Sequence, residues 1–181
     1  FHKHVLNLEW FTPTFWKFIL MNSMKIGFVK ELPSQDGSSS YIPYYDRFIM
    51  GGNGIPYGNP LRGYDDNRVG PVTFSGNPIG GNAMIKLGTE FRVPFAENPV
   101  VYGLIFAEMG NVWSSGDLME RLSLPRSGPL DLKRSVGAGI RFFMPMIGML
   151  GFDIGYGFDR VDQYGELAPA WKTTLTFGQQ F

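Results

Sequence analysis

Arg62 and Glu108 are the charged residues whose sequence settings point most directly to chemistry. Arg62 lies within Leu61-Arg62-Gly63-Tyr64, in a long glycine-rich segment, whereas Glu108 is the only charged residue from Val100 to Trp113. A guanidinium held in a narrow space needs a planar acceptor, and a carboxylate offers two oxygens in matching geometry. A loop arginine is more often simply solvated, so from the loop alone both interpretations of Arg62 stay open.

The remaining residues do not predict catalysis, and we expect no enzyme activity, no cofactor and no metal site. The two histidines, His2 and His4, share one face of a strand and are expected at a rim or an interface, because no cluster of ligands surrounds them. The run from Gly52 to Gly58 superficially resembles a phosphate loop. It lacks the strand-to-helix context and contains Pro56, so it predicts loop backbone with positive φ.

The composition narrows the class of protein. The 181 residues suffice for one domain, and the absence of cysteine excludes disulfides and cysteine-based metal sites. Acidic and basic residues balance at 16 each, which gives no basic field for nucleic acid. No stretch approaches the roughly 18 uninterrupted apolar residues of a transmembrane helix. The 24 glycines and the aromatic content of 15% favour many strands joined by turns.

Apolar residues recur with period two, which predicts β-strands. Between residues 150 and 158 large apolar residues alternate with glycine and aspartate, so one face is apolar and the other is polar or small. On its own strand, Glu108 is expected to face inward together with Phe106 and Gly110, because a charge facing lipid is unfavourable. The alternation predicts seven strands, at residues 3–12, 16–30, 81–94, 99–113, 133–144, 148–158 and 171–181.

The predicted connections differ systematically in length. They alternate between short turns and long polar loops, at residues 13–15, 31–80, 95–98, 114–132, 145–147 and 159–170. Short turns on one side and long loops on the other are typical of β-barrels in the bacterial outer membrane. This pattern places the C-terminus, and an interfacial girdle of aromatic residues, on the short-turn, periplasmic side.

A soluble antiparallel β-sandwich also alternates and is the alternative fold. The barrel is favoured because the predicted strands exceed the usual length of about five or six residues. The face opposite the apolar one is also rich in glycine and small polar residues, as a water-filled lumen would allow. Seven is an odd number of strands, and Phe1 opens directly into a strand pattern. We therefore expect the last strands of a larger barrel, in a chain that starts mid-protein.

The long loop carries a recognisable motif. Leu61-Arg62-Gly63-Tyr64 resembles the Val-Arg-Gly-Phe/Tyr signature of the lumen-inserted sixth loop in outer-membrane protein assembly factors of the BamA type. The resemblance covers essentially the whole chain. Further segments resemble the family in the same order, namely Tyr44 to Phe48 with Gly51-Gly52, Gly80 to Phe91, Phe106 to Trp113, Arg134 to Pro145 and the closing strand.

The resemblance implies an all-β, antiparallel transmembrane β-barrel of sixteen strands, of which this chain forms the C-terminal seven. Residues 31–80 would fold back into the lumen, where Arg62 would pair with Glu108 and lock the loop. Leu61, Tyr64 and Glu108 stand where the family commonly has Val, Phe and Asp, so the acid is one methylene longer. Wall support is expected from Phe106, Gly110 and Glu90. We expect six other charged residues to face inward, most of them as hydrated residues of the wall. They are Lys17, Lys25, Lys86, Arg92, Arg141 and Asp153.

Members of that family fold and insert β-barrel proteins into the bacterial outer membrane. The implied mechanism is addition of an incoming strand to an exposed edge at a seam between the first and last strands. The half of the seam in this chain would comprise Trp171, Phe177, Gly178 and Phe181. The implied partners are outer-membrane lipids, nascent β-barrel proteins, accessory assembly lipoproteins, and the periplasmic domains and N-terminal strands of the same chain, without nucleic acid.

Two other functions stay open from the sequence. A secretion or translocation pore of the two-partner secretion type shares the Arg-Gly-Tyr loop. A plain porin or adhesin barrel would not need these motifs.

Overall fold

The computed structural model describes residues 1–32, 41–55, 57–73, 76–114, 131–145, 148–162 and 166–177. Within these ranges the chain forms one antiparallel sheet of seven strands, ordered along the sheet as along the chain. This confirms the predicted all-β, antiparallel fold class. The strands are β1 His2–Pro13, β2 Ile19–Lys30, β3 Ala83–Glu97, β4 Val100–Trp113, β5 Lys133–Met144, β6 Gly148–Gly157 and β7 Ala170–Phe177.

Across the described ranges, no helix has both the length and the apolar character needed to cross a membrane. One short 3-10 helix, Tyr44–Asp46, lies in the connection between β2 and β3.

The turn between β1 and β2 is longer than the alternation suggested. β2 begins at Ile19 and not at residue 16, because Trp16 has a φ of 60°, which is incompatible with extended backbone. Lys17 consequently does not face inward with the strand residues. Its ammonium lies 2.8 Å from Glu97 and its side chain is 62% exposed.

The ends of two other strands also differ from the sequence pattern. β3 continues to Glu97, because Glu97 pairs with Val100 beyond an irregularity in register after Pro94. β7 begins at Ala170, and its described part ends at Phe177. The predicted seam residues Gly178 and Phe181 lie outside the described residues.

The sheet has two chemically different faces. In β4, Leu104, Phe106 and Glu108 are buried while Ile105 and Met109 are exposed, and this alternation also runs along β6. The buried side chains lie under residues 41–82, which form the connection from β2 to β3. We call that connection the lumen loop, after the position that the sequence predicts for it. The covered side of the sheet is the loop face, and the opposite side is the outer face. Charged, small and aromatic residues share the loop face, whereas large apolar residues dominate the outer face.

The apolar core lies between the lumen loop and the sheet. The loop contributes Leu61 and Met50, both fully buried, and the sheet contributes Val29 and Met84. Apolar surface is therefore removed from water by the loop packing on the wall, and this burial is the main force holding the loop down. The core cluster comprises Val29, Ile42, Phe48, Met50, Leu61, Tyr64, Val69, Met84 and Val112.

Backbone hydrogen bonds attach the end of the lumen loop to the sheet. Asn82 N donates to Trp113 O at 2.8 Å, and Val29 N donates to Asn82 O at 2.7 Å. Phe48 and Gly81, both in the loop, exchange two further bonds at 2.9 and 2.8 Å. Within the loop, Gly52 and Gly54 have φ values of 56° and 75°, as the sequence predicted for this segment. The loop is thus folded against the wall by paired backbone as well as by its core.

Replacing Ile105 by arginine tests whether the outer face contacts lipid. Ile105 is 60% exposed in the middle of β4. We expect Ile105→Arg to lower the free energy of unfolding in phospholipid vesicles by about 2–4 kcal/mol, the cost of a cation near the bilayer midplane. Urea titration monitored by tryptophan fluorescence measures this.

Ile55→Arg is the matched control, because Ile55 is 50% exposed but belongs to the lumen loop. Equal, small effects of both variants would show that the outer face of β4 contacts water.

Candidate functional site

Three strands converge on Arg62 of the lumen loop. The side chain is only 6% exposed, and it lies over the loop face of β3, β4 and β6. Its Nη2 donates to Glu90 Oε1 at 2.6 Å and to Glu108 Oε1 at 2.8 Å. Its Nη1 lies 3.6 Å from Asp153 Oδ1. The structure thus brings the predicted pair together and adds two further carboxylates to it.

Glu108 holds the backbone of the loop as well as the guanidinium. Its second oxygen, Oε2, accepts a hydrogen bond from Arg62 N at 3.0 Å. One carboxylate therefore binds both the backbone N–H and the guanidinium of Arg62. This specifies the position and the orientation of the loop tip. Glu108 pairs in register with Gly88 on β3.

The ring of Phe106 forms the floor under the guanidinium. The Arg62 Cζ lies 3.7 Å from the ring centroid, a cation–π contact in a site closed to water. Phe106 pairs in register with Gly137 on β5. A Cβ at Gly137 would lie 2.5 Å from Phe106 Cζ, so the glycine gives the ring its space.

The carboxylates at this site are each bound to a second cation. Arg92 Nη2 lies 2.7 Å from Glu90, Lys86 Nζ lies 3.2 Å from Glu108, and both terminal nitrogens of Arg141 bond Asp153 at 2.7 and 2.8 Å. Four of the charges that the alternation placed inward, Lys86, Arg92, Arg141 and Asp153, therefore belong to one ionic network and are not separately hydrated. We call it the lock network.

Charge compensation keeps the loop arginine ionised. Burial by itself lowers the pKa of the Arg62 guanidinium, but the carboxylates of Glu108 and Glu90 act against it, and the pKa lies above its ordinary value. Isolated charges are expensive to bury, whereas a charge with hydrogen-bonded partners is tolerated. Because each carboxylate is bound by cations, this arrangement is suited to holding a conformation and not to acid–base catalysis.

Gly63 packs backbone against backbone on β6. Its φ is 86°, a conformation that side chains rarely adopt. A Cβ at Gly63 would lie 2.9 Å from Gly157 N, and one at Gly155 would lie 2.8 Å from Gly63 N. The motif glycine and the two strand glycines are therefore mutually required for this close approach.

The apolar members of the motif fill the space on either side of Arg62. Leu61 is fully buried in the core. Tyr64 is 3% exposed, and its hydroxyl donates to Arg134 O at 2.7 Å and accepts from Asp159 N at 3.3 Å. Burial raises the pKa of Tyr64 to about 12. The tyrosine, where the family commonly has phenylalanine, ties the loop to β5 and to the residues that follow β6.

The other predicted residues take different positions. Gly110 lies under the lumen loop, where a Cβ would be 2.9 Å from Met50 Sδ. Trp171 and Phe177, predicted for the seam, are each 61% exposed on the outer face of β7 and do not reach the lock network. His2 and His4 lie at the start of β1 with ring nitrogens 3.0 Å apart. Over the described residues, no group of three histidine or acidic side chains is arranged so that it could hold a metal ion.

Sequence reasoning missed Asp153, Gly155 and Gly157 as contacts of the motif. Their signal was present, since all three occupy loop-face positions of β6. The alternation assigns that face but does not indicate which part of it the loop tip covers.

A cavity of ≈ 510 Å³ adjoins Arg62 on the loop face. Its lining combines charged side chains of the lock network with polar and aromatic residues of β1 and β2, including Asn7, Glu9, Phe11 and Lys25. Such a lining favours a hydrated space inside the fold.

Removal of the loop cation should destabilise the loop and the wall together. Arg62→Met keeps an extended apolar side chain but leaves three buried carboxylates short of one partner. We expect a loss of about 3–5 kcal/mol in the free energy of unfolding. We also expect faster protease cleavage in the lumen loop and loss of heat-modifiable migration in gels.

Arg68→Met is the control, because Arg68 is an exposed arginine of the same loop. Wild-type protease resistance in Arg62→Met would contradict the lock.

The buried hydroxyl of Tyr64 predicts a loss of stability at high pH. Its pKa in the folded protein is raised above the value of about 10 for an unfolded chain. The stabilisation is therefore complete below pH 10 and disappears as the pH rises towards 12.

In urea unfolding of Tyr64→Phe, the free energy of unfolding should depend less on pH between pH 10 and 12. Below pH 10 it should be lower than in the wild type by about 1 kcal/mol, because the hydrogen bond of the hydroxyl is missing. Tyr45→Phe, at an exposed tyrosine of the same loop, should behave as wild type. An unchanged pH profile in Tyr64→Phe would exclude Tyr64 as the titrating group.

Comparison with solved structures identifies the fold. The chain is similar to the crystal structure of BamA from Haemophilus ducreyi lacking POTRA domains 1–3, with a TM-score of 0.68 and 19% sequence identity. The match covers 96% of this chain and 35% of that one, so the chain spans about a third of the length of that structure. Curated protein sequences give no significant match.

Comparison with protein families assigns the chain to a superfamily. The model described as the Omp85 superfamily domain matches residues 1–181. It therefore covers all seven strands and the lumen loop. The chain belongs to the Omp85 superfamily, a family of β-barrel proteins of the bacterial outer membrane.

Proposed function

We propose that this chain is the C-terminal part of the barrel of an outer-membrane assembly factor, which folds and inserts other β-barrel proteins. The lock network carries the proposal. Arg62 is fixed by carboxylates from β3, β4 and β6, so a long loop is held on the inner wall and does not extend from the surface. A plain porin or adhesin barrel would not need the motifs that build this contact.

The terminal strand supplies the second part of the proposal. β7 pairs with β6 from Ala170 to Gly157 through Phe177 to Leu150. Among the described strands none pairs with its other edge. In the proposed barrel this edge meets the first strand, and where that junction opens it presents unpaired N–H and C=O groups, to which an incoming strand can add by main-chain hydrogen bonding. We propose that β7 forms half of a lateral seam with the first strand of a sixteen-stranded barrel.

The remaining partners follow from this arrangement. In the proposed orientation, the outer face contacts outer-membrane lipids, and the short turns and the C-terminus lie on the periplasmic side. The N-terminal strands of the same chain would complete the barrel, and the periplasmic domains of that chain and accessory assembly lipoproteins are its further partners. No covalent chemistry is involved.

A translocation pore of the two-partner secretion type is the second candidate. The hydrated, charged cavity beside Arg62 favours it, because a pore needs a polar path through the barrel. Depletion of the protein separates the two functions. Loss of many different barrel proteins from the outer membrane supports the assembly factor, whereas loss of one secreted protein supports the pore.

Cysteine cross-linking tests the seam directly. Thr173→Cys places a thiol on the edge strand of the full-length protein, and a client barrel carries a cysteine in its terminal strand. We expect disulfide-linked adducts during client assembly. Ile154→Cys is the matched control, because Ile154 is the register partner of Thr173 on β6, one strand from the edge. Adducts at Thr173→Cys should exceed those at Ile154→Cys several-fold, and equal yields would exclude lateral pairing at β7.

A further inference from the structure

Asp65 links the lumen loop to the terminal strand. It follows the Leu61–Tyr64 motif directly, and its Oδ2 accepts a hydrogen bond from Arg160 Nη2 at 2.6 Å. Its Oδ1 forms an ion pair with Lys172 Nζ. Lys172 belongs to β7, whereas Arg160 follows β6, so one carboxylate spans the boundary between the last two strands.

The position of this ion pair is set by the packing of the motif. Lys172 pairs in register with Gly155. Gly155 is one of the two strand glycines on which Gly63 packs. Because Gly155 has no side chain, the loop backbone at Gly63 approaches β6 closely. The carboxylate of Asp65, two residues further along the loop, can therefore reach Lys172 on β7.

We propose that the Asp65–Lys172 ion pair is a tether that couples the locked loop to the edge strand β7, so that the state of the loop sets how readily β7 opens. The regulatory role of the tether at the seam rests on the proposed function. Asp65 is a positioning residue in this scheme. It acts on the edge strand through Lys172 and need not contact an incoming chain.

The difference between β7 and the inner strands supports the tether. β3, β4 and β6 each contact Arg62 or Gly63 and also have strands on both sides. At the proposed seam β7 keeps β6 as its strand neighbour, and Lys172 gives it a contact with the lumen loop. A single added contact therefore changes the opening of β7 more than that of an inner strand. The pair is partly exposed, at 39% for Lys172 and 37% for Asp65, so its effect is modest.

Hydrogen exchange of the full-length protein in lipid, without any client, measures the tether alone. We expect Asp65→Asn and Lys172→Gln each to speed exchange of the β7 amides roughly 2- to 5-fold, with the amides of β3 and β4 unchanged. The double variant should exchange no faster than Asp65→Asn alone, because that variant has already lost the ion pair with Lys172. Asp65→Glu, which keeps the charge, should restore most of the protection.

Asp131→Asn is the matched control. Asp131 forms a comparable partly exposed ion pair, with Lys133 of β5 at 3.0 Å, that does not involve β7. Unchanged exchange in either single variant, or additive effects in the double variant, would overturn the tether.

Cross-linking then separates the tether from the proposed function. In the Asp65→Asn background, the yield of client adducts at Thr173→Cys should rise, because the edge opens more often. An unchanged yield would overturn the regulatory role. Absence of adducts in the parent protein would count against the proposed function itself, whereas the exchange measurement would still decide whether the tether exists.

Discussion

The burial of one guanidinium is the constraint on which the rest of the structure depends. Arg62 is almost completely removed from water, and this is tolerable only where carboxylates replace its hydration shell. Glu90, Glu108 and Asp153 come from three different strands, so the register of those strands must be correct for the charge to be compensated. The loop and the wall therefore specify one another.

The space for this interaction comes from residues without side chains. Gly137 accommodates the ring of Phe106, and Gly155 and Gly157 accommodate the backbone of Gly63. In β6 the usual distribution of a soluble sheet is reversed, since glycine and aspartate face the interior while Phe152 and Ile154 face outward. That reversal suits a wall with lipid on one side and a hydrated lumen on the other.

The five residues from Leu61 to Asp65 contact every strand from β3 to β7. Leu61 and Arg62 engage the core and β3, β4 and β6, Gly63 packs on β6, Tyr64 bonds the backbone of β5, and Asp65 reaches β7. The contact with β7 differs from the others in its exposure. Buried and multiply bonded groups hold the inner strands, whereas a partly exposed ion pair holds the last one. A firm wall with a looser edge is the physical arrangement that the proposed lateral seam requires.

Alternation of apolar and polar residues with period two is a local property of the chain. The sequence by itself therefore determined those features of the fold that follow from this alternation. It determined the antiparallel all-β class, the inward face that carries Phe106, Glu108 and Gly110, and the motif containing Arg62. It did not determine that Trp16 would leave the strand pattern, because a turn conformation is set by its surroundings.

Tertiary structure alone decided which charges meet. Asp153 and Lys172 are distant from the loop motif along the chain, and their contacts with Arg62 and Asp65 depend on the register of five strands and on the path of the lumen loop. Several inward positions offer a carboxylate or a glycine to the interior, but only the folded loop selects among them. The selection is made by the cost of burying an uncompensated charge, which no local pattern in the sequence expresses.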